Sequence, residues 1–149
     1  MIAIIFDFNR TIFNPVDNKL TEGALDLLTS LNAIPSIDLF LVAKDKAKRY
    51  KQIEYLDIKQ FFKEIMIKPE KTIELFEHCQ NQCSEGTYFF VVGDRVNLDI
   101  KLGNECGMTT IWFKSGKFAE DAPDDDMAKP DHIIRDLADV LPIIRVQSH

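Results

Sequence analysis

The sequence predicts an α/β protein, a three-layer α/β/α sandwich built on a mostly parallel sheet. Three observations predict it. Short apolar runs alternate with longer amphipathic ones, as parallel strands do when helices cover both faces of their sheet. Two of the apolar runs end in an aspartate, which suits the carboxyl edge of an open sheet, where such folds bind ligands. A chain of 149 residues, 46% hydrophobic and 28% charged, is long enough for one substantial core and ordinary enough for a single globular domain over residues 1–149.

The strand candidates are Ile2 to Phe6, Ile37 to Val42, Ile65 to Ile67, Thr87 to Val92, Thr109 to Phe113 and His132 to Ile134. The first helix is expected from Thr21 to Leu31, with Leu25, Leu28 and Leu31 at helical spacing and Thr21 as its N-cap. A second should run from Asp45 to Leu56 and a third from Glu70 to Cys83, after Pro69. A fourth, Leu98 to Cys106, stops before Gly107, and a short last one, Asp136 to Leu141, stops before Pro142. The stretch from Glu120 to Pro130, with Asp121, Asp124, Asp125 and Asp126, reads as a solvated loop, since it lacks the glycine and terminal glutamate of a calcium-binding EF-hand loop.

Composition excludes several roles. Net charge is −6, and no Lys/Arg block forms a phosphate-tracking stripe, so nucleic acid is not an expected partner. No apolar run approaches a membrane span and Met1 leads straight into a strand-like stretch, so we expect no membrane partner and a cytoplasmic location. Cys79, Cys83 and Cys106 are an odd set without an export signal and read as reduced thiols. Only His78 adjoins them as a further ligand, which favours packed or surface thiols over a metal site.

The chemistry concentrates at strand ends. Ile2-Ala3-Ile4-Ile5-Phe6 runs into Asp7-Phe8-Asn9-Arg10-Thr11, and Tyr88-Phe89-Phe90-Val91-Val92 into Gly93-Asp94, with Asp99 five residues on. Two acidic strand ends on neighbouring strands can hold one hard cation through oxygen ligands, and Mg²⁺ is the expected ion. Lys68, after the run Glu64 to Ile67, could offset the carboxylates and a phosphoryl group sharing their pocket. Singly, each aspartate is more often a turn cap than a catalyst. Their order and their shared strand-end position raise them above that.

These motifs resemble the haloacid dehalogenase (HAD) superfamily, whose phosphatase members carry D-x-D-x-T after the first strand, a Ser or Thr after the second, a lysine, and G-D-x-x-x-x-D late in the chain. Here they read D-F-N-R-T at Asp7 to Thr11, Val42-Ala43-Lys44, Lys68-Pro69 and G-D-R-V-N-L-D at Gly93 to Asp99. The resemblance spans nearly the whole chain and implies a Rossmann-like fold. It also implies that Asp7 is a nucleophile forming an aspartyl-phosphate, and that Asp7, Asp94 and the backbone carbonyl of Asn9 bind Mg²⁺. Asp99 would support the metal from behind, and Lys68 would steady Asp7 and the phosphoryl group. Residues 12–36 leave little room for a large cap domain, so an open site acting on a phosphorylated small molecule or macromolecule is implied.

Two positions depart from the pattern. Asn9 stands where the family's acid–base aspartate would be, and an amide cannot exchange that proton, a contribution typically worth about 10²–10⁴-fold in rate. Ala43 stands where a hydroxyl would meet the phosphoryl oxygens; Lys44 either compensates or is a surface lysine at a helix start. Arg10, Arg95 and Lys44 either form a rim for an anionic substrate or are merely solvated. Thr11 is expected to support the nucleophile loop through its hydroxyl. The expected function is a Mg²⁺-dependent phosphatase or phosphotransferase with slow release of its intermediate, and the alternative is a regulatory or binding protein on the same fold. A dehalogenase or phosphonate-cleaving role fits less well, because relatives with those activities share residues, and a cap, that this chain lacks.

Overall fold

The computed structural model describes residues 1–147. Its six-stranded sheet is parallel throughout, in the order β5-β4-β1-β6-β7-β8, with β1 Ile2–Asp7, β4 Ile37–Lys44, β5 Glu64–Lys68, β6 Tyr88–Gly93, β7 Thr109–Phe113 and β8 His132–Ile134. The α/β sandwich expected from the alternating runs is therefore the observed fold. A small antiparallel pair, β2 Phe13–Asn14 with β3 Lys19–Leu20, follows the first strand and was not legible in the sequence.

Successive residues of β1 face opposite layers, which is why the strand is apolar at every position rather than at alternate ones. Ile2, Ile4 and Phe6 join Leu28 and Leu31 of α1 (Ala24–Asn32), Ile53 of α2 (Arg49–Leu56) and Ile144 of α5 (Val140–Gln147) in one core layer. Ala3 and Ile5 join Leu75, Phe76 and Cys79 of α3 (Ile73–Asn81) in the other, with Leu102 of α4 (Lys101–Glu105) packed against it. Cys79 is thus a core thiol, and Cys83 and Cys106 pack beside it, none of them in a disulfide.

The helix boundaries differ from expectation: α3 starts at Ile73, capped by Thr72, rather than at Glu70, α4 is α-helical only over Lys101–Glu105, and three other shifts have plain local reasons. Thr21 does not cap α1: the N-cap is Gly23, in the left-handed region at φ 84°, and the Thr21 hydroxyl has no hydrogen-bond partner. The second helix starts at Arg49 rather than Asp45, because Lys48 sits at φ 71° and breaks the helical path. The last helix runs through Pro142 instead of ending before it. A proline in the first turn forfeits an N–H that would have no intrahelical partner anyway, so the turn Leu137–Asp139 passes straight into α5.

The acidic segment does not float free of the fold. Asp125 accepts from Lys101 Nζ at 2.9 Å, Asn97 Nδ2 donates to the Ala122 carbonyl at 2.9 Å, and Ala128 is buried. Its aspartates themselves are exposed.

Candidate active site

Strand order creates the site. From β1 the chain proceeds outward through β4 to β5, then returns to place β6 on the other side of β1, so the connections leave β1 and β6 in opposite directions and open a crevice beyond their carboxyl ends. Asp7 is the last residue of β1, Asp94 follows the last residue of β6, and Phe6 pairs with Val92, which brings the two acids to one edge.

Asp99 reaches the same place by a different route. Residues Val96–Ile100 form a π-helical turn before α4, and Asp99 lies over Gly93. A Cβ on Gly93 would stand 2.6 Å from the Asp99 Cβ, so only glycine lets the acid approach. The ligand atoms of Asp7, Asp94 and Asp99 all lie within 4.8 Å of one another, and all three residues are buried. The indole of Trp112 fixes the Asp94 backbone by donating to its carbonyl at 2.9 Å.

Asp7 is held on both oxygens. Thr11 donates to Oδ2 at 3.2 Å, and Lys71 Nζ donates to Oδ1 and also to Asp99 Oδ1 at 2.6 Å. Thr11 is fully buried, so it orients Asp7 and does not line the cavity above it. Lys71, with its side chain only 5% exposed, is the lysine of the site. Lys68 is not. As the last residue of the edge strand β5 it is exposed and lines a separate groove with Met66, Leu75 and His78. The chain turns between it and α3, and three residues later the inward-facing position falls on Lys71. Spacing from the strand end pointed to the wrong lysine.

Electrostatics follow from this packing. Burial pulls the Lys71 ammonium toward losing its proton, but the charges of Asp7 and Asp99 more than offset that and hold its pKa above the ordinary lysine value. Burial, and then the charge of Asp7, push the Asp94 carboxyl up to about 9 and that of Asp99 up to about 6. Asp94 Oδ2 and Asp99 Oδ2 are buried with no hydrogen-bond partner. Clustered hard oxygens with unsatisfied lone pairs and a tendency to stay protonated suit a divalent cation such as Mg²⁺, which would supply the missing charge and ligation.

Above these acids opens a cavity of about 210 Å³. Asn9 and Arg10, from the loop after β1, line it, as do Lys44, Lys46 and Arg49 on one side and Arg95, Lys117 and Phe118 on the other. Ala43 does not line it; it packs in the core with Phe8 and Ile53, because alternation along β4 turns it away from the crevice. Lys44, the next residue, faces the cavity. Arg49, which sequence reasoning missed, is 4% exposed; it donates from Nε to the Lys44 carbonyl at 3.1 Å and lies 5.0 Å from the Phe8 ring centroid. Burial, its main influence, lowers its pKa.

A parallel α/β sheet with an acid-floored, cation-lined cavity at its switch point is an arrangement that would suit an anion beside a hard cation. A family profile described as HAD-hydrolase-like matches residues 67–140. Over 107 residues the chain is 29% identical to the glyceraldehyde 3-phosphate phosphatase of Methanopyrus kandleri, a match covering 66% of this chain and 45% of that protein. It is 24% identical over 141 residues to YfnB of Bacillus subtilis, named as a HAD-hydrolase, covering 88% of this chain and 57% of that one. The magnesium-bound crystal structure of YfnB superposes with a TM-score of 0.70 over 85% of this chain and 57% of that chain. A protein from Listeria monocytogenes serotype 4b, at 17% identity, superposes with a TM-score of 0.78 over 98% of both chains. The chain is similar to haloacid-dehalogenase-like hydrolases, as its motifs suggest. It spans about half the length of the curated relatives it matches.

Proposed function

We propose that the chain is a Mg²⁺-dependent phosphatase or phosphotransferase that works through an aspartyl-phosphate on Asp7. The observation that carries this reading is the double restraint of Asp7 by Thr11 and Lys71 at the cavity floor, beside Asp94. An Asp7 oxygen attacks phosphorus, the bond to the ester oxygen breaks, and the leaving oxygen takes its proton from solvent. Water then attacks the phosphorus of the intermediate, the bond from phosphorus to the Asp7 oxygen breaks, and inorganic phosphate leaves as the water's proton passes to solvent and the Asp7 carboxylate is restored. Lys71, already bonded to Asp7, offsets the negative charge gathered as the phosphoryl group arrives. Arg49 and Lys44 meet its oxygens where a hydroxyl is lacking. Asp7, Asp94 and the Asn9 carbonyl would hold Mg²⁺, whose charge would favour transfer; the bare Asp94 oxygen supports that assignment.

Asn9 neither protonates the leaving group nor activates water, so both steps lose the help of about 10²–10⁴-fold that an acid–base group provides. The family resemblance and relatives named as phosphatases support the reaction class. The test is phosphate release from p-nitrophenyl phosphate, whose leaving group needs little protonation, with Mg²⁺ and with Asp7→Asn as control. Wild type should turn over slowly, Asp7→Asn should be inert, and Asn9→Asp should hydrolyse faster by at least tenfold. Equal inertness of wild type and Asp7→Asn removes the reading.

A second reading, a binding or regulatory protein, draws on Asn9 in the cavity and Ala43 in the core. It gains if wild type is inert while Asn9→Asp is active.

A further inference from the structure

Three cations from three different loops converge on one ring at the mouth of the cavity. The guanidinium carbons of Arg10, after β1, and Arg95, after β6, lie 5.2 and 4.5 Å from the centroid of Phe118, and Nζ of Lys117 lies 5.4 Å from it. We propose that this rim receives a second anionic group of the substrate, so that the chain prefers small phosphate esters that also carry a carboxylate or a second phosphate. The proposal rests on the reading that the Asp7 floor takes the phosphoryl group.

Charge balance argues for it. The chain has more acidic residues than basic ones, 24 against 18, and Lys59, Lys63, Lys71, Lys101 and Lys129 each find a carboxylate. Among the described residues, Arg10, Arg95 and Lys117 form no ion pair with a carboxylate. Like charges packed round one ring repel, and the ring's negative face only partly relieves that. An anion would complete the cluster.

On that reading the phosphoryl group does not need these cations, because Lys71 below and Arg49 and Lys44 on the opposite wall are placed to meet it. Nor is Phe118 a platform for a nucleotide base, since the cations already engage its π surface. The rim is also not an accident of free side chains. Arg10 is held in the left-handed region at φ 65° by its N–H bond to the Phe13 carbonyl at 2.7 Å, and Arg10 and Arg95 are half-buried. A cavity of about 210 Å³ lies below the usual range for drug-sized ligands, which favours a second anion within a few bonds of the first.

Binding of non-hydrolysable phosphonates separates this proposal from the catalytic reading. At saturating Mg²⁺, calorimetric titration compares propylphosphonate with 3-phosphonopropionate and propane-1,3-diphosphonate. At least one of the two further-charged probes should bind tenfold or more tighter than propylphosphonate. That advantage should shrink threefold or more in Arg95→Gln or in Lys117→Gln, the second of which alters only an exposed side chain. Equal affinities in wild type, or an advantage undiminished in both variants, overturn the second-anion site while leaving the phosphoryl pocket standing. No binding of any of the three overturns the pocket reading and this proposal together.

Discussion

At the scale of residues, the lysine is the most instructive case. Lys68 and Lys71 are three positions apart in one short loop, yet one is exposed at a strand edge and the other is buried between two carboxylates. Replacing Lys71 by Met should lower turnover of p-nitrophenyl phosphate by about 10²–10³-fold, the usual cost of removing one donor aimed at developing charge. Lys68→Met should stay within twofold of wild type. A Lys68 variant as impaired as the Lys71 variant would show that the loop rearranges when substrate binds. The acids were legible in the sequence because a strand ending in aspartate fixes where that side chain emerges. Lys71, Arg49 and Phe118 were not, because loop geometry and helix rotation decide which side chains turn inward, and no periodicity encodes either.

Elements set the close approaches on which the site depends. Gly93 lets Asp99 pass over the end of β6, and Gly103 lets α4 settle on the sheet, where a Cβ would stand 2.8 Å from both Val91 Cγ2 and Thr110 Cγ2. Gly93→Ala should cost about 1–3 kcal/mol, as overpacking a tight site does, and should loosen Mg²⁺ binding because Asp99 must retreat. Chemical denaturation and a Mg²⁺ titration of the same variant check both parts; unchanged values for both would mean that the turn yields without consequence. Strand positions were readable from apolar runs. Helix starts were not, since Lys48 and Gly23 adopt left-handed backbone that the local pattern does not announce.

At the scale of the whole molecule, the buried acids link stability to pH and to metal. Asp94 and Asp99 have folded-state pKa values pushed up to about 9 and about 6 from the ordinary 3.8, first by burial and then by the charge of Asp7. The folded chain therefore binds these protons more tightly than the unfolded one, and the two groups favour folding least once they must ionise. Without metal, their contribution to stability should decline as pH rises from about 4 to about 9. Mg²⁺ held as proposed would bind the ionised form, so the gain in melting temperature from saturating Mg²⁺ should be larger at pH 9 than at pH 6. Melting curves with Mg²⁺ and with chelator test this, and a gain independent of pH would separate Mg²⁺ from these carboxylates. Among the described residues no helix is long and apolar enough to cross a membrane.

The position of β1 in the sheet has a consequence for when the candidate site can assemble. Ile2 pairs with Tyr88 on one side and with Ile37 on the other, so β1 is completed only by a strand more than eighty residues further along the chain. Such distant pairing makes folding slow, because a long loop must close before the contact rewards it. A nascent chain that ends before Tyr88 carries Asp7 without Asp94 or Asp99. Asp7 therefore waits without its partner acids until synthesis has passed the middle of these residues.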